Sequence, residues 1–193
     1  MSRWLLLVST AWVLFALLVP PWLVVEPVAL PPLLQGTVGA LLTAARTLAP
    51  APVPQIADWL QTVTAPSATD LLSFPFLGAW VRWLIMLALA VAGSCFLLTA
   101  ASPFVRSDSL RLVAGWAGAA GGGLLLALLL VSAPSVQRLG LGAGSFGGLL
   151  TSVLGVHLAW GFWGAVLGFA ITTAAGIAVL NEPTNARQPV RRY

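Results

Sequence analysis

The chain has 193 residues, of which 59% are hydrophobic and 7% are charged. A soluble globular domain carries about 25% charged residues, so this composition excludes a water-soluble fold. The formal net charge of +4 comes from nine arginines, with no lysine, against five acidic residues. So few charges do not build the clustered basic face that nucleic-acid binding requires, and no nucleic-acid partner is expected.

Four long apolar stretches make up most of the chain, and each can cross a hydrocarbon core, which needs about 20 helical residues. They are Trp4–Val25, Phe76–Ala101, Leu110–Val131 and Leu149–Leu180. The predicted fold is all-α, a four-helix transmembrane bundle that forms a single domain over residues 1–193. The first stretch is predicted to be a retained anchor, because its run of about 22 residues exceeds the ~7–15 of a signal-peptide core.

The arginines predict the orientation of the bundle, because arginine and lysine concentrate in the cytoplasmic loops of multi-pass proteins. With the N-terminus inside, six arginines lie on the cytoplasmic side and three on the outer side. We therefore expect a multi-pass protein of the cell (inner or plasma) membrane with both termini in the cytoplasm. The tail is then residues 181–193, and residues 26–75 form a long outer loop.

This outer loop is predicted to carry short amphipathic helices. In Leu33–Leu48 and Pro54–Val63 the apolar residues recur at helical spacing along one side. Such helices either lie flat on the outer leaflet or form a docking surface for a partner, and the sequence favours neither reading. Ser67 and Asp70 have the spacing of a capping box, which predicts a short helix before Pro75.

Small residues repeat at helical spacing in the third and fourth stretches. A glycine costs a helix about 1 kcal/mol relative to alanine, and close helix–helix approach can offset that cost in lipid. We therefore expect these two spans to pack tightly against each other or against a neighbouring chain. The residues concerned are Ala114, Gly118, Gly122, Gly164, Gly168 and Gly176.

Tryptophans are concentrated on the predicted outer face, which holds six of the nine in the chain. Aromatic belts normally occur at both membrane interfaces, so this bias indicates an outer face packed against something else. The expected partners are lipids and other integral membrane subunits. The six interfacial residues are Trp22, Trp59, Trp80, Trp83, Trp160 and Trp163.

His157, the only histidine, is the main candidate for a cofactor contact. An imidazole in a membrane helix can bind haem iron or the magnesium of a chlorin as an axial ligand. The alternative is an interfacial or capping histidine, because counting back from Leu180 places His157 near the outer interface. No resident cofactor and no metal site are predicted, and a haem, chlorin or quinone contact is the only exception considered.

Arg82 lies between Trp80 and Trp83 at the start of the second stretch. One interpretation is that its side chain extends to a lipid phosphate, as arginines near helix ends do. The other is an ion pair between subunits or a contact with a quinone head group.

No arrangement of residues predicts catalysis. There is no Ser/His/Asp set and no carboxylate pair inside the spans, and Cys95 is alone, without disulfide or zinc spacing. The layout of four spans with a long first loop is similar to that of claudins and tetraspanins. Their loop cysteines have no counterpart here, so the chain is assigned to neither family.

Pumps and transporters usually keep ionisable residues inside the bilayer, and this chain has almost none there. We therefore expect a non-catalytic accessory or structural subunit of a larger membrane complex, with a respiratory or photosynthetic electron-transfer assembly as the favoured type. One alternative is a pigment-, haem- or quinone-binding subunit that uses His157. Another is a small oligomeric channel or transporter.

Overall fold

The computed structural model describes residues 2–27, 65–74, 77–101, 108–137 and 154–182, and the structural statements below concern this part of the chain. It is mostly helical. The elements, in chain order, are α1 (Ser2–Leu18), β1 (Leu23–Pro27), α2 (Ala68–Ser73), α3 (Ala79–Ala101), α4 (Asp108–Trp116), a π-helical turn (Ala117–Gly121), α5 (Gly122–Gln137), β2 (Leu154–Leu158) and α6 (Trp160–Asn181). Helix α4, the π-helical turn and α5 follow one another directly, and Ser109–Gln137 is called the composite helix below.

Three helices are long and apolar enough to cross a membrane, namely α3, the composite helix and α6. They have 23, 29 and 22 residues, and a hydrocarbon core requires about 20. These three helices indicate a membrane protein. Helix α1 is also apolar, but with 17 residues it is shorter than the other three.

The first and fourth predicted stretches are each divided between a helix and a strand. Helix α1 ends at Leu18, and Leu23–Pro27 is extended, because a helix cannot continue through Pro20 and Pro21 without losing hydrogen bonds. Helix α6 begins at Trp160, and Leu154–Leu158 is a strand. Pro20 and Pro21 predict a kink or an exit of the chain at their position, and α1 ends just before them. The prediction of a continuous helix over Leu149–Leu180 is wrong at Leu154–Leu158, which is a strand.

The other two predicted stretches agree more closely with the structure. Helix α3 covers Ala79–Ala101 of the predicted Phe76–Ala101. The composite helix extends past the predicted end at Val131 as far as Gln137 and contains Pro134 in its last turns. Both amphipathic segments predicted in the outer loop, Leu33–Leu48 and Pro54–Val63, lie outside the described residues.

The long helices form a ring in which neighbours run antiparallel. Helix α1 packs against α3 and α6, and the composite helix packs against the same two helices. The start of α1 lies beside the end of α6, because the Ser2 hydroxyl donates a hydrogen bond to the Glu182 carboxylate. This end of the bundle, which also carries the start of the composite helix and the end of α3, is called the terminal end. The opposite end, which carries the two strands, is called the strand end.

Two clusters of buried apolar side chains fill the ring. The larger runs from the strand end towards the middle and includes Leu17, Ile85, Leu129 and Phe169. The smaller lies at the terminal end and consists of Leu6, Ala114, Ala175 and Val179.

The strands β1 and β2 pair antiparallel, with Leu23 opposite Leu158 and Val24 opposite His157. Because β1 follows α1 and β2 precedes α6, this pairing continues the contact between α1 and α6 beyond the ends of both helices. Two further backbone hydrogen bonds join the link between α1 and β1 to the start of α6. The Gly161 amide donates to the Pro21 carbonyl at 2.8 Å, and the Ala159 amide donates to the Trp22 carbonyl at 2.9 Å.

The short helix α2 begins with the predicted capping box, which is confirmed. The Ser67 hydroxyl accepts a hydrogen bond from the Asp70 amide at 3.2 Å, and the Asp70 carboxylate accepts one from the Ser67 amide at 3.0 Å. The Pro66 carbonyl just before this helix accepts a hydrogen bond from the Trp22 amide at 2.7 Å. Helix α2 is thereby attached to the strand end of the bundle.

Candidate functional site

The closest approach between helices occurs where α6 meets the composite helix. A β-carbon on Gly176 would lie 2.8 Å from the carbonyl oxygen of Gly115, and one on Gly118 would lie 3.4 Å from the α-carbon of Gly176. At Gly122 the added carbon would lie 2.9 Å from the Thr173 hydroxyl oxygen. The backbones of the two helices are therefore in direct contact along this line, which favours van der Waals packing in lipid.

The small residues of α6 nearer the strand end contact α1 instead. A β-carbon on Gly168 would lie 2.6 Å from a methyl carbon of Val13, and one on Gly164 would lie 3.5 Å from the β-carbon of Ala16. The sequence predicted the fourth span to pack against the third or against another chain, and it did not identify α1 as the partner of these two glycines. Ala114 is buried in the cluster at the terminal end.

Two side-chain hydrogen bonds join α1 to α6, one of them buried. The Thr172 hydroxyl lies 3.1 Å from the Ser9 hydroxyl, and both side chains are buried. The Trp12 indole nitrogen donates to the Gly164 carbonyl at 3.1 Å. The sequence places Thr172 in the same four-residue repeat as Gly164, Gly168 and Gly176, but it does not identify the bond of its hydroxyl to Ser9. The signal that could have found this bond is the pair of adjacent hydroxyl residues in each otherwise apolar span, Ser9-Thr10 and Thr172-Thr173, because a buried hydroxyl needs a partner.

The tryptophans predicted at the outer interface fall into two groups. Trp80, Trp83, Trp160 and Trp163 are exposed at the strand end. Trp22 is 0% exposed, so its side chain lies inside the protein rather than among lipid head groups. Trp59 lies outside the described residues.

The burial of Trp22 follows from its partners. Its indole nitrogen donates to the Ala16 carbonyl at 3.0 Å, near the end of α1 where carbonyls lack helical partners. Its ring meets the Phe162 ring edge to face, with ring centres 5.4 Å apart. Trp22 therefore closes the bundle at the strand end.

Arg82 is exposed at the start of α3, and its guanidinium donates a hydrogen bond to the Phe74 carbonyl at 3.3 Å. This contact ties α3 to the residue that caps helix α2. Trp80 and Trp83 flank Arg82 on the surface.

His157 lies on strand β2 with an exposed side chain, three residues before α6 begins. The premise that this imidazole sits inside a membrane helix is therefore wrong. Among the described residues, no group of three or more His, Cys, Asp or Glu side chains could hold a metal ion.

At the terminal end, the Arg111 side chain reaches from the composite helix to the end of α6. Its guanidinium Nη2 donates to the Val179 carbonyl at 3.3 Å and to the Glu182 carbonyl. The last carbonyls of a helix have no helical partner and carry partial negative charge, so a guanidinium stabilises them. In the sequence, Arg111 is only one of the arginines that predict the orientation of the bundle. Its contact with the end of α6 joins residues far apart in the chain, so the sequence does not reveal it.

A crevice of about 10 Å3 opens beside the Arg111 side chain.

Comparison of the chain with protein-family models, with curated proteins and with solved structures gave no match.

Proposed function

We propose that this chain is a non-catalytic structural subunit of a larger membrane protein complex. The observation that carries the proposal is the backbone contact of α6 with both of its neighbours, at Gly176 on one side and Gly168 on the other. Close packing of this kind suits a rigid scaffold better than a passage for a solute, because a passage needs polar groups and space between helices.

The charge distribution supports the same proposal. Between Trp4 and Leu18 of α1, between Trp83 and Ala101 of α3, and throughout α6, the sequence contains no Asp, Glu, Lys, Arg or His. Proton and ion pathways in membrane proteins are usually built from such residues. The function we propose therefore depends on contacts with neighbouring subunits and lipids rather than on chemistry inside the bundle.

We propose a four-span topology, in which α1 is the fourth helix to cross the membrane. Its 17 residues match the lower limit of the ~17–25 seen for transmembrane helices. It packs along α6 from Ser2, beside Glu182, to Ala16, beside Gly164. With four spans the two termini lie on one side. The excess of arginine at that end favours the cytoplasm of a cell whose inner or plasma membrane holds the protein.

Accessibility from the two sides of the membrane tests this topology. The variant Cys95→Ala/Ser73→Cys carries a single thiol at an exposed position of α2, at the strand end. We expect a membrane-impermeant maleimide to label it from the side opposite to epitope tags placed at both termini. An N-terminal tag on the same side as Ser73 would show that α1 does not cross.

The type of assembly we propose is a respiratory or photosynthetic electron-transfer complex, the type favoured by the sequence. Purification of the tagged chain in a mild detergent, followed by size separation and mass spectrometry, tests the proposal. We expect other integral membrane subunits to co-migrate in fixed stoichiometry, with the absorption bands of their haem or chlorophyll. A tagged membrane protein of similar size from the same cells is the control.

Two results would contradict the proposal of a structural subunit. One is recovery of the chain alone as a stable monomer from its native membrane. The other is turnover or solute flux by the purified chain reconstituted alone in liposomes. Co-purification with a complex that contains no redox pigment would contradict only the type of assembly.

A further inference from the structure

Helices α1 and α3 pack side by side, and their outer surface, here called the α1–α3 face, is apolar along both helices. An exposed apolar surface of this extent is normally covered by something other than water. The large exposed side chains on this face are Trp4, Val8, Phe15 and Leu18 of α1 and Trp83, Met86 and Leu97 of α3.

The only two charged residues of α1 and α3 lie at opposite ends of this face. Arg3 is exposed beside Trp4 at the terminal end, and Arg82 is exposed between Trp80 and Trp83 at the strand end. Each end therefore carries an arginine next to exposed tryptophan, and the part between the two ends carries no charge.

This distribution of charge is complementary to a lipid bilayer. A bilayer presents phosphate groups at both surfaces and hydrocarbon between them. Arginine near the end of a helix lays its apolar stem along hydrocarbon and extends its guanidinium to the head groups, and tryptophan prefers the same level at both interfaces. A neighbouring protein helix has no corresponding need for positive charge at both ends of the surface that it covers.

The height of the face also fits a bilayer. Ser2 lies beside Glu182 at one end of α1, and beyond its other end the Gly161 amide bonds to the Pro21 carbonyl. Along α6, Gly161 and Glu182 are about 32 Å apart at 1.5 Å per residue. The uncharged segment Trp83–Ala101 of α3 rises about 27 Å by the same measure. A hydrocarbon core is about 30 Å thick.

We propose that the α1–α3 face contacts membrane lipid directly, with acyl chains against its apolar part and Arg3 and Arg82 at the levels of the two layers of phosphate groups. The proposal rests on the four-span topology proposed above, because it requires α1 to cross the membrane. Neighbouring subunits of the complex then contact the bundle at other surfaces.

Photo-cross-linking of the full-length chain in its native membrane tests this proposal. The photoreactive amino acid p-benzoylphenylalanine replaces Phe15 of α1 or Met86 of α3, both of which are exposed on the face. Irradiation attaches it to whatever it touches, and mass spectrometry identifies the product. We expect the chain to gain the mass of one phospholipid at each position.

Phe169 provides the matched control, because it is also an aromatic or apolar position of a long helix but is buried in the bundle. The same replacement there should give no lipid adduct. Correct folding of each variant is checked at Cys95, which is buried and therefore does not react with a thiol dye in the folded protein.

A second variant tests the same face by size. An added β-carbon on Gly93 of α3 meets nothing within 4 Å, so Gly93→Leu is expected to fold and to extend its side chain into lipid. The subunits recovered with the chain should then be the same as for the wild type. Their loss from a folded Gly93→Leu chain would show that another protein packs against α3.

Two cross-linking results would overturn the proposal. One is an adduct with another protein at Phe15 or Met86 in place of lipid. The other is a yield of lipid adduct at these positions no higher than at Phe169. Neither result depends on whether subunits co-purify with the chain, so failure of this proposal is distinguishable from failure of the proposed function.

Discussion

Gly176 approaches the composite helix so closely that a β-carbon on it would lie 2.8 Å from the carbonyl oxygen of Gly115. The obstacle is backbone rather than the end of a flexible side chain, so the helices must separate to accept any larger residue. The same helix pair contains the π-helical turn, Ala117–Gly121, directly opposite. Such turns insert one extra residue into a helix and change the direction of its faces.

We predict that Gly176→Ala destabilises the protein. Overpacking a tight interface costs about 1–3 kcal/mol, which exceeds the ~1 kcal/mol that alanine gains over glycine in a helix. The matched control is Gly93→Ala on α3, where an added β-carbon meets nothing within 4 Å. That variant should be as stable as the wild type or up to about 1 kcal/mol more stable.

Cys95 allows both variants to be measured. It is the only cysteine of the chain and is 1% exposed, so a thiol-reactive dye labels it only on unfolding. We expect a lower unfolding temperature for Gly176→Ala and an equal or higher one for Gly93→Ala. Equal shifts in the two variants would show that α6 and the composite helix are not in backbone contact.

The hydrogen bond between Ser9 and Thr172 is expected to contribute a small but measurable stabilisation. Side-chain hydrogen bonds between membrane helices contribute about 0.6 kcal/mol on average and at most ~1.7 kcal/mol. A double-mutant cycle with Ser9→Ala and Thr172→Val should give a coupling energy in this range. As the control, Thr173→Val removes a hydroxyl that bonds to the Phe169 carbonyl of its own helix. Coupling of Ser9→Ala with Thr173→Val should be close to zero, and equal coupling in both cycles would rule out a specific bond.

Trp22→Phe is predicted to destabilise the strand end. The phenyl ring keeps the contact with Phe162 but cannot donate to the Ala16 carbonyl, and a buried acceptor left without its partner costs about 1–3 kcal/mol. Trp160→Phe is the control, because Trp160 is 63% exposed and exposed substitutions usually change stability by less than about 0.5 kcal/mol. Thermal unfolding followed at Cys95 compares them. If Trp160→Phe were the more damaging change, Trp22 would lie at the lipid interface, as the sequence suggested.

The apolar length of the segments was enough to predict the long helices but not all of their ends. Helix α3 ends at the predicted Ala101 because the hydrophobic run ends there. Hydrophobicity alone does not distinguish a buried strand from a helix. Pro20 and Pro21 predict the kink or exit that ends α1, but the apolar run gives no sign that Val24 and Val25 beyond them form a strand.

The contacts at both ends of the bundle could not be predicted, because they join residues far apart in the chain. The spacing of glycines identified close packing, but nothing local showed that Gly168 faces Val13 rather than the composite helix. Likewise, Arg111 carries a charge that the sequence records, whereas its contact with the Glu182 carbonyl depends on the antiparallel arrangement of two helices. Only the capping box of Ser67 and Asp70, which is local, was predicted in full.

The pairing of β1 with β2 predicts that Val24→Cys and His157→Cys form a disulfide in a Cys95→Ala background. Opposite residues of an antiparallel pair have α-carbons about 4.5–5.5 Å apart, within the ~4.4–6.8 Å range of disulfides. The next pair, Leu23→Cys with Leu158→Cys, should also form a disulfide under mild oxidation.

The control combines Val24→Cys with Leu158→Cys, which the register places one residue apart. Side chains alternate between the two faces of a strand, so these thiols should remain free. Cross-linking is scored by reaction of free thiols with a maleimide that adds mass on a gel. Two packed helices would meet at every third or fourth residue, because that is the period of a helix face. Cross-linking of only one of the two consecutive pairs would therefore indicate that residues 154–158 continue α6 as a helix.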